Sequence, residues 1–153
     1  MENKKYIDLA YKEALKAYKI DEVPVGCVIV KDGEIIARSY NKREKNQNVL
    51  CHAEIMAINK ACRKMGTKFL DGCELYVTLE PCIMCIGAII QARIKKVVYG
   101  AREPKFGCLE SLGNVLDTFK FNHQIEVIGG VSEEKISNMM KEFFKELRKN
   151  KKI

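Results

Sequence analysis

The 153-residue chain lacks the features that would place a protein in a membrane or in the secretory pathway. It has no run of about 18 apolar residues, which excludes an ordinary transmembrane helix. Its first 19 residues have no apolar signal-peptide core and instead predict an amphipathic helix. The seven cysteines are odd in number, and without a secretion signal they argue against a disulfide framework. We therefore expect a cytoplasmic protein with thiols that are free or bound to metal.

Internal repeats, low-complexity tracts and linkers are also missing. The length fits one domain, residues 1–153, with a sizeable core. The composition, 47% hydrophobic and 31% charged, is typical of a soluble globular protein.

The formal net charge is +7, and the basic residues are grouped. Residues 141–153 carry six basic against two acidic side chains. A second basic group is Lys42, Arg43 and Lys45. A third basic group is Arg93, Lys95, Lys96, Arg102 and Lys105. Such grouping fits a nucleic-acid footprint, but a lysine-rich surface without a polyanionic partner explains the net charge equally well.

Hydrophobic periodicity predicts an alternating α/β chain. A hairpin over residues 23–41 turns at Lys-Asp-Gly-Glu. Further strands are predicted over about 73–79, 95–101 and 123–128, and helices over about 3–19, 52–65, 83–92 and 132–149, the last with Ser132 as its N-cap. Because the later strands alternate with helices, strands three to five should be parallel. The prediction is a three-layer α/β/α sandwich with a mixed five-stranded sheet, and residues 102–120 should form a short helix and an active-site loop.

One of only two histidines, His52, stands at the start of a predicted helix in "NVLCHAEIMAINKACRKM". Glu54 follows two residues later, and on a regular helix such residues point about 200° apart. Both side chains can face one point only if the helix begins there, with His52 at the cap or first position.

The stretch "TLEPCIMCIGAII" places Cys82 and Cys85 in a first helical turn that Pro81 opens. Free N–H groups and the helix dipole stabilise thiolates there. A Cys-x-x-Cys pair in this setting is either redox-active or a metal site. With His52 as a third ligand, the two cysteines match a catalytic zinc with one open position. Cys51 is the alternative fourth ligand, which would make the site purely structural.

Zinc bound by two thiolates and a neutral imidazole is formally uncharged. It polarises water less strongly than zinc bound by three histidines, so a neighbouring base would assist. Glu54 is the predicted base.

The segments "CHAEIMA" and "EPCIMCIGAI" resemble the His-x-Glu … Pro-Cys-x-x-Cys pattern of zinc-dependent nucleobase deaminases. The resemblance becomes closer with "DEVPVGCVIV", "YVTLEPCIMCIGAIIQARIKKVVYGAREPKFG", "SLGNVLD", "FNHQIEV" and "FFKELR". Together these segments are similar to the family of bacterial tRNA-specific adenosine deaminases along nearly the whole chain. The resemblance implies a cytidine deaminase-like fold, in agreement with the sandwich predicted from periodicity.

The resemblance also implies a reaction, conversion of adenosine to inosine at the wobble position of the anticodon stem-loop of an arginine tRNA. It implies that His52, Cys82 and Cys85 bind one zinc ion per chain. Glu54 would take a proton from the attacking water and deliver protons to the ring nitrogen and the departing ammonia. A homodimer is implied as well, because a neighbouring subunit helps to form the substrate site in this family.

Substrate-binding positions are implied at Asn41, for the flipped nucleotide, and at Arg43, Lys105, Phe144 and Arg148, for RNA. Each has an ordinary alternative: a strand-ending turn for Asn41, solvated charges for the basic residues and core packing for Phe144. His123 is interpreted as structural.

Four positions depart from the family pattern. Cys27, Cys51 and Cys108 replace small residues without sulfur, and Glu103 replaces the usual aspartate. None removes a catalytic group. Glu103 and Cys108 lie in the loop that would face the substrate, so these two positions affect the fine RNA specificity.

Three alternative functions stay open on the sequence. A deaminase of a free base or nucleoside, such as guanine, would share the zinc site. A non-catalytic zinc-stabilised RNA-binding module would tolerate Glu54→Ala and close its metal shell with a fourth ligand. A redox protein would form a reversible Cys82–Cys85 disulfide and would not need His52.

Overall fold

The computed structural model describes residues 2–151. Five strands and five helices alternate in the predicted order: α1 Glu2–Lys19, β1 Gly26–Lys31, β2 Glu34–Tyr40, α2 Ala53–Met65, β3 Cys73–Leu79, α3 Ile83–Gln91, β4 Lys96–Ala101, α4 Val115–Thr118, β5 Glu126–Ile128 and α5 Glu133–Lys151. Lys152, part of the predicted basic segment at 141–153, lies outside the described residues.

The strands form one mixed sheet in the order β2-β1-β3-β4-β5. The β1–β2 hairpin is antiparallel and turns at Asp32 and Gly33, as predicted. β1 is also antiparallel to β3, with Cys27 opposite Val77. β3, β4 and β5 are parallel, which confirms the inference from strand and helix alternation.

Helices cover both faces of this sheet. On β1, Cys27 and Ile29 pack towards α2 and α3, whereas Val28 and Val30 pack towards α1 and α5. Alternate residues of a strand point to opposite faces, so a strand buried on both faces is apolar throughout. The α/β/α sandwich predicted from the sequence is therefore confirmed. No helix within residues 2–151 is long and apolar enough to span a bilayer.

Some predicted boundaries were wrong. β5 begins only at Glu126, so His123 precedes the strand. The Nε2 atom of His123 donates a hydrogen bond to the carbonyl oxygen of Ile94 at 2.7 Å. α3 begins at Ile83, as predicted, but Cys82 is its N-cap, so Pro81 precedes the helix and does not open it. Ser132 directly precedes α5, as predicted, but its φ of 56° is left-handed and not the extended conformation of an ordinary N-cap.

The short helix predicted within residues 102–120 is the four-residue helix α4, and a long loop precedes it. The side chain of Asn114 caps α4 by accepting a hydrogen bond from the Leu116 amide at 3.0 Å. The loop leaves the carboxyl end of β4, next to the turn that joins β3 to α3. Ligand sites of α/β proteins commonly lie at this edge of the sheet.

We expect Gly26→Ala to lower the free energy of unfolding by about 1–3 kcal/mol, the usual effect of overpacking. A Cβ atom at Gly26 would overlap with the carbonyl oxygen of Ala10 and the amide nitrogen of Ala14, because α1 lies directly against β1. Gly87 in α3 has open space around its Cα, so Gly87→Ala should be neutral or stabilising by up to about 1 kcal/mol. Urea unfolding of both variants measures the contrast, and equal effects would contradict it.

Candidate metal site and its flanking loops

The start of α2 explains how His52 and Glu54 face the same point. The helix begins at Ala53, and His52 is its N-cap, with extended φ and ψ angles of −72° and 153°. The imidazole therefore leaves the chain before the helical rotation starts, whereas Glu54 lies in the first turn. This confirms the predicted placement of His52 at the cap.

The start of α3 meets the start of α2. Cys82 is the N-cap of α3, and Cys85 follows one turn later. The Nδ1 atom of His52 lies 3.7 Å from Cys82 Sγ and 3.6 Å from Cys85 Sγ. The three ligand atoms lie within 4.8 Å of one another, as a common metal ion requires.

The donor set and its dimensions fit zinc. For Zn–S of about 2.3 Å and Zn–N of about 2.0–2.1 Å, a tetrahedral centre places nitrogen and sulfur about 3.5–3.6 Å apart. The two observed separations agree with this value within about 0.2 Å. Two cysteines and one histidine leave the fourth tetrahedral position to a water molecule or a substrate.

The electrostatics of the cluster favour thiolate at one ligand. A hydrogen bond from the Cys85 thiol, assisted by His52, lowers the pKa of Cys82 to about 4 despite burial. The same bond raises the pKa of Cys85. The pKa of His52 is raised, chiefly by its hydrogen bond with Cys82. Because a metal binds deprotonated ligands, binding at this cluster would release the proton of Cys85.

Glu54 is buried beside the cluster, with 4% of its surface exposed. Burial raises the pKa of its carboxyl group to about 7, and the neighbouring His52 only partly offsets this effect. A carboxyl group with such a pKa can both accept and donate a proton near neutral pH.

Cys51, the alternative fourth ligand, does not join the cluster. Its Sγ atom accepts a hydrogen bond from the Asn46 side chain at 3.4 Å. Within residues 2–151, the group of potential ligands contains His52, Cys82 and Cys85 alone. The arrangement thus has the open position of a catalytic metal site.

Asn41 and Glu22 fix the segment that precedes His52. The buried Asn41 side chain donates to the carbonyl oxygen of Val23 and accepts from the amide of Arg43, both at 3.1 Å. The carboxylate of Glu22, 1% exposed, accepts from the amides of Glu44 and Lys45 at 3.0 and 2.6 Å. Asn41 thus has the turn role that was its ordinary alternative, although one N–H and one oxygen lone pair remain for a substrate.

Sequence reasoning missed Glu22 and also Glu80, the residue between β3 and Pro81. Glu80 is 2% exposed, and its carboxylate accepts hydrogen bonds from the amides of Glu103, Leu109, Glu110 and Ser111 and from the Ser111 hydroxyl. Burial by itself would raise the pKa of Glu80, but these hydrogen bonds outweigh it and the pKa is lowered. The available signal was a lone acidic residue at the end of a buried strand.

The predicted RNA-contact residues are all exposed at the surface. Arg43 and Lys105 are exposed in the loops that follow β2 and β4, and Arg148 is exposed on α5. Phe144 is 37% exposed and packs edge-on against Phe143, at 5.3 Å between ring centroids. It is therefore neither fully in the core nor isolated.

The third basic group does not form one patch, contrary to the sequence expectation. Lys96 and Arg102 lie at opposite ends of β4, about 20 Å apart along a strand. Lys96 donates to Asn3 in α1, and Arg93 lies over the ring of Phe69. The Arg102 guanidinium is engaged by the carboxylates of Glu133 and Glu110. These basic residues are close in the sequence, but the extended strand β4 holds those at its two ends far apart in space.

Comparisons with known proteins agree with this geometry. The model of the MafB19-like deaminase family matches residues 1–148. The tRNA-specific adenosine deaminase of Bacillus subtilis (strain 168) is 52% identical over 147 residues, which are 96% of this chain and 91% of that protein.

Two solved structures are also similar. One, from work on A-to-I editing by tRNA:A34 deaminases at the wobble position of transfer RNA, has a TM-score of 0.84 and 43% identity over 88% of this chain and 98% of that chain. A guanine deaminase from Bacillus subtilis has a TM-score of 0.61 and 42% identity, over 64% of this chain and 63% of that chain.

We expect Cys82→Ala to lose bound metal and to melt at a lower temperature, because a ligand is removed and metal binding stabilises the folded state. Cys51→Ala is the matched control, since its thiol lies outside the cluster, and it should retain the metal. Metal analysis of both purified variants, together with thermal unfolding, measures this contrast. Equal metal loss in both variants would indicate a four-ligand structural site.

Proposed function

Because the chain belongs to the family of tRNA-specific adenosine deaminases, we propose that it converts adenosine to inosine at the wobble position of a tRNA anticodon, that of an arginine tRNA. The observation that carries this proposal is the cluster of His52, Cys82 and Cys85, with an open ligand position and a buried carboxylate beside it. Hydrolytic deamination replaces the amino group at C6 with oxygen from water and releases ammonia.

Zinc is the metal that we assign to this cluster, at one ion per chain. The support is the donor set and the 3.6 and 3.7 Å separations between the histidine nitrogen and the two sulfurs. A bound zinc supplies a Lewis acid that lowers the pKa of a water molecule towards neutrality.

Glu54 is the proposed general base and acid. Its carboxylate takes one proton from the attacking water and delivers it to the ring nitrogen. It then takes the second proton of that water, from the new C6 hydroxyl group, and delivers it to the amino group, which departs as ammonia. This role is supported by the position of Glu54 in the first turn of α2, two residues after the N-cap His52. Its burial excludes bulk water, which would otherwise exchange those protons.

We assign the binding of the substrate to the surface around this cluster. Asn41 is assigned to the flipped nucleotide, and Arg43, Lys105, Phe144 and Arg148 to the anticodon stem-loop. Their exposure, and for Asn41 the remaining hydrogen-bonding capacity, support the assignment. Basic side chains provide the electrostatic part of RNA binding, and an exposed aromatic ring offers a stacking face. We also propose that residues 1–153 form one zinc-dependent deaminase domain. The proposed location of the protein is the cytoplasm.

A homodimer is part of this proposal. Exposed apolar side chains surround the metal site on three segments, at Val49, Leu50, Ile83, Phe106 and Leu112, and each is at least 53% exposed. Apolar side chains grouped in this way mark protein interfaces more often than isolated ones do.

We therefore expect the wild-type protein to sediment at twice the mass of the chain. Leu50→Asp should shift it towards the monomer, because a charge would be buried in the interface. Ile20→Asp, at an exposed apolar residue beyond the end of α1, is the control and should remain a dimer. A wild-type protein that sediments at the mass of one chain would contradict the dimer.

A second function has specific support in the similarity to a guanine deaminase structure. Deamination of free guanine would use the same metal ligands and the same carboxylate. The similarity covers less of the chain than that to the tRNA deaminase structure, and the exposed basic side chains favour RNA.

We expect wild-type protein to form inosine in a purified arginine tRNA with an ACG anticodon. Glu54→Ala should reduce the rate by about 10²- to 10⁴-fold, the usual contribution of a general base, and should keep its zinc and its fold. Inosine quantification, with zinc analysis of both proteins, makes the measurement. Free guanine is assayed in parallel, and turnover of guanine without turnover of tRNA would replace the proposed function with the second one.

A further inference from the structure

Residues 102–112, which form most of the connection between β4 and α4, surround one buried carboxylate. We call this segment the 102–112 loop. The Oε2 atom of Glu80 accepts from the amides of Leu109, Glu110 and Ser111, at 3.1, 2.6 and 2.9 Å. The Oε1 atom accepts from the Glu103 amide at 3.0 Å and from the Ser111 hydroxyl. Five donors converge on one side chain, so both ends of the loop are fixed to the end of β3.

The middle of the loop leaves space for this carboxylate. Gly107 lies so close to Glu80 that a Cβ atom at this position would overlap with the carboxyl group. The Gly107 amide donates to the carbonyl oxygen of Glu103 at 2.9 Å, which closes a turn over the side chain. Glycine is therefore required here for space.

The same loop reaches the metal ligands. The amide of Cys108 donates to the carbonyl oxygen of Pro81 at 3.0 Å, and Pro81 directly precedes Cys82. Lys105 and Phe106 lie between the fixed points at Glu103 and Cys108, and both are exposed, Phe106 by 65%. The loop thus presents a cation and an exposed aromatic ring next to the residue that precedes Cys82.

We propose that Glu80 is a positioning residue for the substrate, fixing the 102–112 loop so that Lys105 and Phe106 are ordered for RNA before it binds. This inference rests on the proposed function, since it assigns RNA as the ligand of the loop. Glu80 contacts no reacting atom and acts through the loop. Ordering a loop in advance removes an entropic cost that binding would otherwise carry.

Glu80→Gln tests the proposal with little change in shape. The amide of glutamine has one acceptor oxygen, so an NH₂ group must face either the Glu103 amide or the amides of residues 109–111. At least one of these groups of backbone amides should then exchange with deuterium faster than in wild type. Gly107→Ala disturbs the same contact from the loop side and should have the same effect.

Two controls accompany these variants. Glu13→Gln changes another buried carboxyl group, 4% exposed, whose ion-pair partner is Lys16 on α1, away from the loop. It should leave exchange in residues 103–111 unchanged. Zinc analysis and thermal unfolding establish that each variant is folded and loaded with metal.

The expected result for Glu80→Gln and Gly107→Ala is faster amide exchange within residues 103–111 at unchanged zinc content. The KM for tRNA should rise about tenfold as preorganisation is lost, with a much smaller change in kcat. Lys105→Ala in the Glu80→Gln background should add less than it does alone, because both substitutions affect the same contact.

Unchanged exchange in both variants would overturn the proposal, as would faster exchange with an unchanged KM. Loss of zinc together with kcat would also overturn it, because Glu80 would then support the metal ligands and not the substrate loop. Absence of inosine with wild-type protein would contradict the proposed function alone. The exchange rates, measured without substrate, would still decide whether Glu80 fixes the loop.

Discussion

The contact between one imidazole and two thiols requires two helices to begin at the same point. A ligand inside a regular helix points outward at an angle set by its neighbours, but an N-cap residue has an extended backbone and lies before the helical rotation. His52 and Cys82 both have this conformation. The parallel strands β3 and β4, and the short connection from β3 to α3, set the position of α3, whereas the β1–β2 hairpin and the segment after Asn41 bring the start of α2 to it. The rest of the fold can be understood as the support for this meeting point.

Three buried glutamates near this point differ because their surroundings differ. The carboxylates of Glu22 and Glu80 accept hydrogen bonds from backbone amides and thereby fix loops. For Glu54 burial dominates, and its pKa is raised to about 7, whereas that of Glu80 is lowered. One residue type can therefore serve as a loop anchor where donors surround it, and it has the pKa suited to the proposed proton transfer where donors are fewer. Separation of pKa values by environment is the general means by which carboxyl groups acquire different roles.

The sequence predicted features that depend on local periodicity or on ligand chemistry. Cys82, Cys85 and His52 could be grouped because few donor sets satisfy a metal, and the parallel strands followed from their alternation with helices. The role of Glu80 could not be predicted, because its partners lie 23 to 31 residues later in a loop without periodicity. The basic group at 93–105 was misjudged for a related reason, since positions close in sequence lie at opposite ends of a strand. β5 was predicted too long because residues 123–125 precede the strand. The His123 side chain instead donates a hydrogen bond to the carbonyl oxygen of Ile94.

Substrate choice must come from parts of the chain other than the metal cluster. Removal of an amino group from adenine or from guanine requires the same metal and the same proton transfers, so the roles proposed for His52, Cys82, Cys85 and Glu54 do not distinguish the two bases. The surfaces that can distinguish them are the segments at 42–51 and 102–112, which lie on either side of the cluster. Each is fixed by a buried carboxylate that accepts chiefly backbone amides, a contact in which the side chains of Arg43, Lys105 and Phe106 take no part. Side chains such as Arg43, Lys105 and Phe106 can therefore change without loss of the loop's backbone path. This separation of anchor from contact surface lets one catalytic cluster serve different substrates.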